Sequence, residues 1–196
     1  MTTETPSPPE TNRPLRADAR RNRERILDSA RAVFAEYGAE AQMDDVARRA
    51  GVGVGTVYRH FATKEALMVE LVRQKFRLFA DGVRTALERD GDPFAALVEV
   101  MRRNAETAAQ DAATQLALAG AGEQIWMQAQ AEQQELLALT GELLERARRE
   151  GTIRPDVRAI DIGMLMCGVC SSMGFSAVGF DWRRHLELVI EMLRPR

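Results

Sequence analysis

Thr56, Tyr58, Arg59 and His60 crowd one side of a short segment near the start of the chain. At helical spacing Val57 and Phe61 take the opposite side, so none of the four is needed to fill a core. A hydroxyl, a phenol, a guanidinium and an imidazole all donate hydrogen bonds, and phosphate oxygens and base edges accept them. Lys64 opens the next expected helix, where a phosphate meets both an ammonium group and unpaired backbone amides. Upstream, the stretch Arg13–Arg25 sets six arginines against Asp18 and Glu24. The net charge is only -2, with residues 1–64 net positive and the rest net negative. A basic end on an acidic body points to a local anionic partner.

Other chemistry is scarce. Cys167-Gly-Val-Cys170 is a lone pair of thiols with no second pair, and the chain has 2 His, so a zinc site is not expected. Burial in an apolar helix raises a thiol pKa and blunts a redox role. Gly51-Val-Gly-Val-Gly55 lacks the preceding strand and the Lys/Ser ending of a phosphate loop. No nucleophile sits beside a base, so neither an enzyme nor a cofactor is expected. There is no N-terminal apolar run of the secretory kind, which leaves a cytoplasmic location as the expectation. Ile162–Phe180 is free of charge and long enough to span a bilayer. Its glycines and serines fit a helix buried on most sides better.

The elements that must position the polar cluster are helical throughout. Hydrophobic residues make up 45% and charged residues 29%, and Ala, Leu, Glu and Arg favour helix, so an all-α fold of about nine helices is expected. Residues 1–12 are too polar to order, and 13–19 continue as a basic arm. Apolar spacing predicts helices over 20–37, 43–50, 54–61 and from a Thr63 cap to about 89. Gly38 and Gly51 are the stops. Ala47, a small residue four positions before Gly51, lets the second and third helices pack as a helix-turn-helix. Pro93 starts a helix to about Gln110, and residues 111–122 are poorly specified. Further helices follow over 123–150, 157–178 and 182–193. The expected division is 20–66 for a helix-turn-helix domain and 67–196 for a second helical domain.

Residues 20–67 resemble the TetR family of repressors. The pattern R-x-x-IL-x-A-A-x-x-x-F-x-x-x-G falls on Arg23 to Gly38. The pattern I-A-x-x-A-G-V-x-x-G-T-x-Y-x-H-F-x-x-K-E-x-L falls on Val46 to Leu67. This chain has Gly53 where the family often has Ser, and Val54 where it often has Lys. The resemblance implies that Thr56 and Tyr58 touch DNA near the start of the recognition helix and that His60 and Lys64 contact phosphates; Gln42, Met43, Gly53, Gly55 and Arg59 complete the candidate DNA-binding set, with Arg16 or Arg20 of the arm reaching the backbone or the minor groove. It also implies a homodimer and a small-molecule effector bound by the second half. Glycines and serines at 163, 168, 172 and 174 allow close helix approach. Pairing through Leu186, Val189, Ile190 and Leu193 of the last helix would complete a four-helix interface. Phe79, Met101, Trp126, Met127, Met164 and Cys167 are the candidates to line a cavity for an apolar or aromatic effector. The expectation is a ligand-responsive DNA-binding regulator, a repressor in the family's manner. The alternative is a small-molecule-binding helical protein whose helix-turn-helix is only structural.

Overall fold

The computed structural model describes residues 12–111 and 122–195, with side chains from Asp18 onward other than those at 39, 176 and 177. The expected disorder of residues 1–11 and most of the poorly specified 111–122 segment lie outside the described residues. Among the described residues there are nine α-helices and no strand.

Helix α1 runs Asn12–Tyr37, so the stretch expected as an arm over 13–19 is helical in its backbone. Leu15, Ala17, Ala19 and the arginines favour helix, and Pro14 falls in the first turn, where it is tolerated. Ile26, Leu27, Ala30, Val33 and Phe34 form its buried stripe. A 3-10 turn at Gly38–Glu40 leads to α2, Met43–Ala50. Gly51 follows at φ 63 and ψ 37, donating its N–H to the carbonyls of Ala47 and Arg48. That left-handed geometry favours glycine. Helix α3 is Val54–His60 and α4 is Lys64–Leu87. The hydroxyl of Thr63 accepts from the amide of Ala66 at 3.1 Å, capping α4 as expected.

Helix α5 covers Pro93–Ala109. The Asp92 carboxylate caps it, accepting from the amides of Phe94 and Ala95. The helix expected over 123–150 is divided into α6, Glu123–Met127, and α7, Gln130–Arg149. The division lies at Gln128–Ala129. There the Arg73 guanidinium of α4 takes the Gln128 carbonyl at 2.9 Å, a tertiary contact with no local sequence signal. Helix α8 is Ala159–Ser172 and ends before Gly174. Residues Met173–Val178 continue as 3-10 turns rather than as the expected α-helix, with Phe175 outside helical geometry. Asp181 then caps α9, Trp182–Met192.

The apolar side chains form two cores. One packs α1, α2, α3 and the first half of α4, up to Phe76, with Ile125 and Ala129 from the α6–α7 junction. The other packs the end of α4 with α5, α7, α8 and α9. Helix α4 therefore contributes to both, and its Leu67–Phe76 half belongs with the N-terminal core although it lies beyond residue 66.

Candidate nucleic-acid interface

The helix-turn-helix is assembled around Val57, which is fully buried, with Val46, Ala47, Ala50 and Phe61 beside it. Burying these side chains in one small core fixes how α3 is turned, because rotating the helix would expose Val57 to water. Arg25 of α1 donates to the Ala50 carbonyl and lies 3.3 Å from where a Cβ on Gly51 would stand. The turn is thus clamped from a helix 25 residues upstream. The arginine-rich composition of α1 gave no sign of this role.

What α3 leaves outward is the expected set. Gly53, Gly55, Tyr58 and Arg59 are exposed, and Thr56 and His60 are half-buried. Val54 is exposed as well. Arg59 has no ion pair or hydrogen bond among the described residues. By contrast, Arg48 pairs with Asp45 at 2.9 Å and Arg49 with Glu36 at 2.9 Å. An exposed, uncompensated guanidinium on the outer side of α3 is suited to a partner's anion. Gln42 is exposed at the start of α2, where its backbone amide donates to the Asp45 carboxylate at 3.3 Å. Lys64 is half-buried at the start of α4, with its ammonium 5.9 Å from the Phe34 ring centre.

Met43 does not belong to this face. It is buried, because residues 43, 46, 47 and 50 fall on one stripe of α2 and that stripe packs into the core. Arg20 is exposed on α1 and reaches Glu24 at 3.8 Å. Arg16 lies in α1, with its side chain outside those described.

The cavity candidates fare less well. Phe79 lines a cavity of about 250 Å³ between α1, α4 and α5, with Arg31, Leu71, Gln74, Lys75 and Leu78. Residues 71, 74, 75 and 78 are a helical stripe of α4, a signal legible in the sequence that the choice of large apolar groups passed over. Trp126 is half-buried, packed edge-on against Phe76 with ring centres 6.0 Å apart, and the Lys75 ammonium stands 5.8 Å over its ring. Met101 is packed solid in the second core and lines no opening described here. Met127, Met164 and Cys167 are exposed. Met164 and Cys167 sit outward because α8 turns Ile162, Val169 and Ser172 inward instead. A wider cleft of about 660 Å³ lies at the α4–α5 turn. Arg89, Asp90, Asp92, Glu99, Arg146, Arg149 and Glu150 line it, and such a wall does not suit an apolar molecule.

The last two helices differ from expectation in which side they leave open. Leu186, Val189, Ile190 and Leu193 are buried within the chain's own core and are not available to a second copy. The outward residues are Ile160, Met164, Cys167, Gly168 and Ser171 on α8, with Leu188 and Met192 on α9. On α8 these positions recur every three or four residues, a continuous stripe. Cys170 is mostly covered, and burial pushes its thiol pKa up. Among the described residues no cluster of three or more His, Cys, Asp or Glu is placed to hold a metal ion. None of their helices is long and apolar enough to cross a membrane.

An all-α chain with a helix-turn-helix at one end, its polar side free, is a member of the helix-turn-helix class. Residues 26–71 match the family of bacterial regulatory proteins known as the tetR family. Residues 92–195 match the C-terminal domain of SbtR-like transcriptional regulators. The chain belongs to the TetR family. It is 40% identical to a TetR transcription regulatory protein of Mycobacterium vanbaalenii, over 92% of this chain and 99% of that one, with a TM-score of 0.65. It is 31% identical to a TetR transcriptional regulator of Streptomyces coelicolor, over 88% of this chain and 98% of that one, with a TM-score of 0.61. An HTH-type transcriptional regulator of Staphylococcus aureus is 38% identical over 66 residues. That match takes in 33% of this chain and 36% of the relative, so the chain spans about a third of the length of the curated relatives it matches.

Proposed function

We propose that the protein is an effector-responsive DNA-binding regulator that represses transcription as a homodimer. The observation that carries this reading is the division of α3. Val57 and Phe61 go into the core, while Tyr58 and Arg59 stay outside with no hydrogen bond or ion pair among the described residues. In this reading Gly53, Gly55, Thr56, Tyr58, Arg59 and His60 meet base edges and phosphates. Gln42, Lys64 and the arginines at 16 and 20 meet the backbone. Residues 20–66 carry the DNA contact, and 67–196 carry effector binding and pairing. Val54, exposed at the first position of α3, suits a thymine methyl group where a lysine would suit a phosphate.

Pairing runs through the outward stripe of α8 and the open side of α9. Gly168 at the middle of that stripe lets a second α8 approach closely. Two copies then present two α3 helices about one DNA turn, ~34 Å, apart. The effector occupies the cavity beside Phe79, whose Leu71 and Leu78 walls suit a small apolar or aromatic molecule. Its binding draws the pair toward a spacing that no longer fits two successive major grooves.

Selection of bound duplexes from a random pool tests the reading, and a palindromic consensus is the expected result. Affinity for the selected duplex should fall steeply with salt, by about 10³ between 50 and 200 mM if some six phosphates are engaged. No enriched duplex, or a flat salt response, would favour a small-molecule-binding protein whose helix-turn-helix is structural.

A further inference from the structure

Among the described residues the N-terminal core holds one carboxylate, Glu70, whose side chain is 9% exposed. It interrupts the apolar run Leu67-Met-Val-Glu-Leu-Val72. A buried ion pair is a poor way to gain stability, since a well-packed hydrophobic residue of similar volume often does as well or better. What ion pairs give instead is directional attachment at fixed distances. Glu70 is attached on two sides. One oxygen lies 3.0 Å from the Arg23 guanidinium of α1, and the other 3.3 Å from the Arg77 guanidinium of α4 itself.

Both arginines continue the chain of contacts. The Arg23 guanidinium stands 5.3 Å over the ring of Phe61, which ends α3. Arg77 reaches Glu132, in the first turn of α7, at 2.9 Å. Glu132 also faces Arg73, at 3.7 Å. Arg73 in turn holds the carbonyl of Gln128 at the break between α6 and α7. The Nε of Arg73 is buried without a hydrogen-bond acceptor, so this end of the network is held by charge more than by a complete set of bonds. A path of five charged side chains therefore joins the start of α7 to the end of the helix read as the DNA-binding one.

We propose that Glu70 is a positioning residue for DNA binding, coupling the first turn of α7 through Arg77 and Arg23 to the C-terminal end of α3. When Glu132 moves away, Arg77 turns fully to Glu70. The hold of Glu70 on Arg23 weakens, and Phe61 loses the cation that covers it. The importance for DNA rests on the reading of α3 given above; the coupling itself does not.

The test uses the full chain with Glu132→Gln, Glu70→Gln and both together, and two readouts. One is amide hydrogen exchange across Val57–Phe61 without DNA. The other is affinity for a duplex selected from a random pool by the wild-type protein. Glu132→Gln, although far from α3 in sequence and on another helix, should raise exchange at Phe61 and weaken duplex binding by about fivefold or more. In the Glu70→Gln background it should add nothing to either readout. Arg77→Gln, at a half-exposed side chain, cuts the same link and should erase the effect in the same way, should Glu70→Gln fail to fold. Glu132→Gln leaving both readouts unchanged overturns the proposal. So does an effect of equal size with and without Glu70 or Arg77. Coupled exchange in a protein that binds no duplex would keep the coupling and remove the DNA reading.

Discussion

The two ends of the molecule leave opposite kinds of side chain in water. At the N-terminal end the core takes in nearly every apolar group. What α3 leaves fully exposed beyond the valine at its start is one glycine, a phenol and a guanidinium. At the C-terminal end Met164, Phe175, Val178, Phe180, Leu188 and Met192 are all more than two-fifths exposed. Each end buries one side of its helices in a core of its own, and the difference lies in the unburied faces. A polar surplus on a rigid helix suits a charged, hydrated partner, and an apolar surplus suits a second protein surface.

Substitutions can break that contrast one end at a time. The largest effect is expected from Gly168→Leu. Among the described residues a Cβ there meets only the Cε1 of His185, at 3.8 Å, so the protomer should fold. Across a two-fold interface the leucine is felt twice, at about 1–3 kcal/mol for each overpacked copy. Sedimentation should then show dimers dissociating at least about thirtyfold more readily. An undisturbed dimer would remove α8 from the interface.

Tyr58→Ala comes next. It should weaken duplex binding about tenfold while sedimentation shows the dimer intact; equal affinity would take Tyr58 off the DNA. Gly51→Ala is smaller and sharpens the comparison by touching neither surface. At φ 63 a side chain costs about 1–2 kcal/mol. Its Cβ would also stand 3.3 Å from Arg25. Thermal melting should move down by roughly 2–8 °C.

The smallest effect is a pH dependence between the two ends. The hydrogen bond from Arg77 holds the Glu132 carboxyl below the usual carboxylate range. A carboxylate depressed by folding contributes its stability above its unfolded pKa, about 4.3, and loses it as pH falls through the lower folded value. Glu132→Gln should therefore flatten the acid limb of melting temperature between about pH 5 and 3. A limb as steep as that of the wild-type protein would show that the pair adds nothing.

Much of this was legible in the residues. The spacing of Val46, Ala47, Gly51, Val57 and Phe61 fixed the helix-turn-helix, since turn chemistry and buried stripes are local. Thr63 and Pro93 mark helix starts, and Gly38 and Gly51 helix stops, for the same reason. The failures were all tertiary. Periodicity shows α8 apolar nearly all round without telling which side faces its own chain, which is why Met164 and Cys167 prove exposed rather than cavity walls and Leu186 proves buried in its own core rather than at an interface. The place of Met43 in the family pattern points to DNA, whereas its place on the buried stripe of α2 puts it in the core. The break at Gln128 depends on Arg73, 55 residues away. Glu70 did leave a trace, a lone carboxylate in an apolar run, but its partners lie on helices that only the fold brings together.

Because Leu67–Phe76 lie in the same core as α1, α2 and α3, the reading head cannot be lifted off at residue 66. A fragment cut there would lose the floor its helices stand on, and a chimera joining this head to another relative's body must carry α4 at least to Phe76. The unit that can be exchanged is longer than the motif that names it.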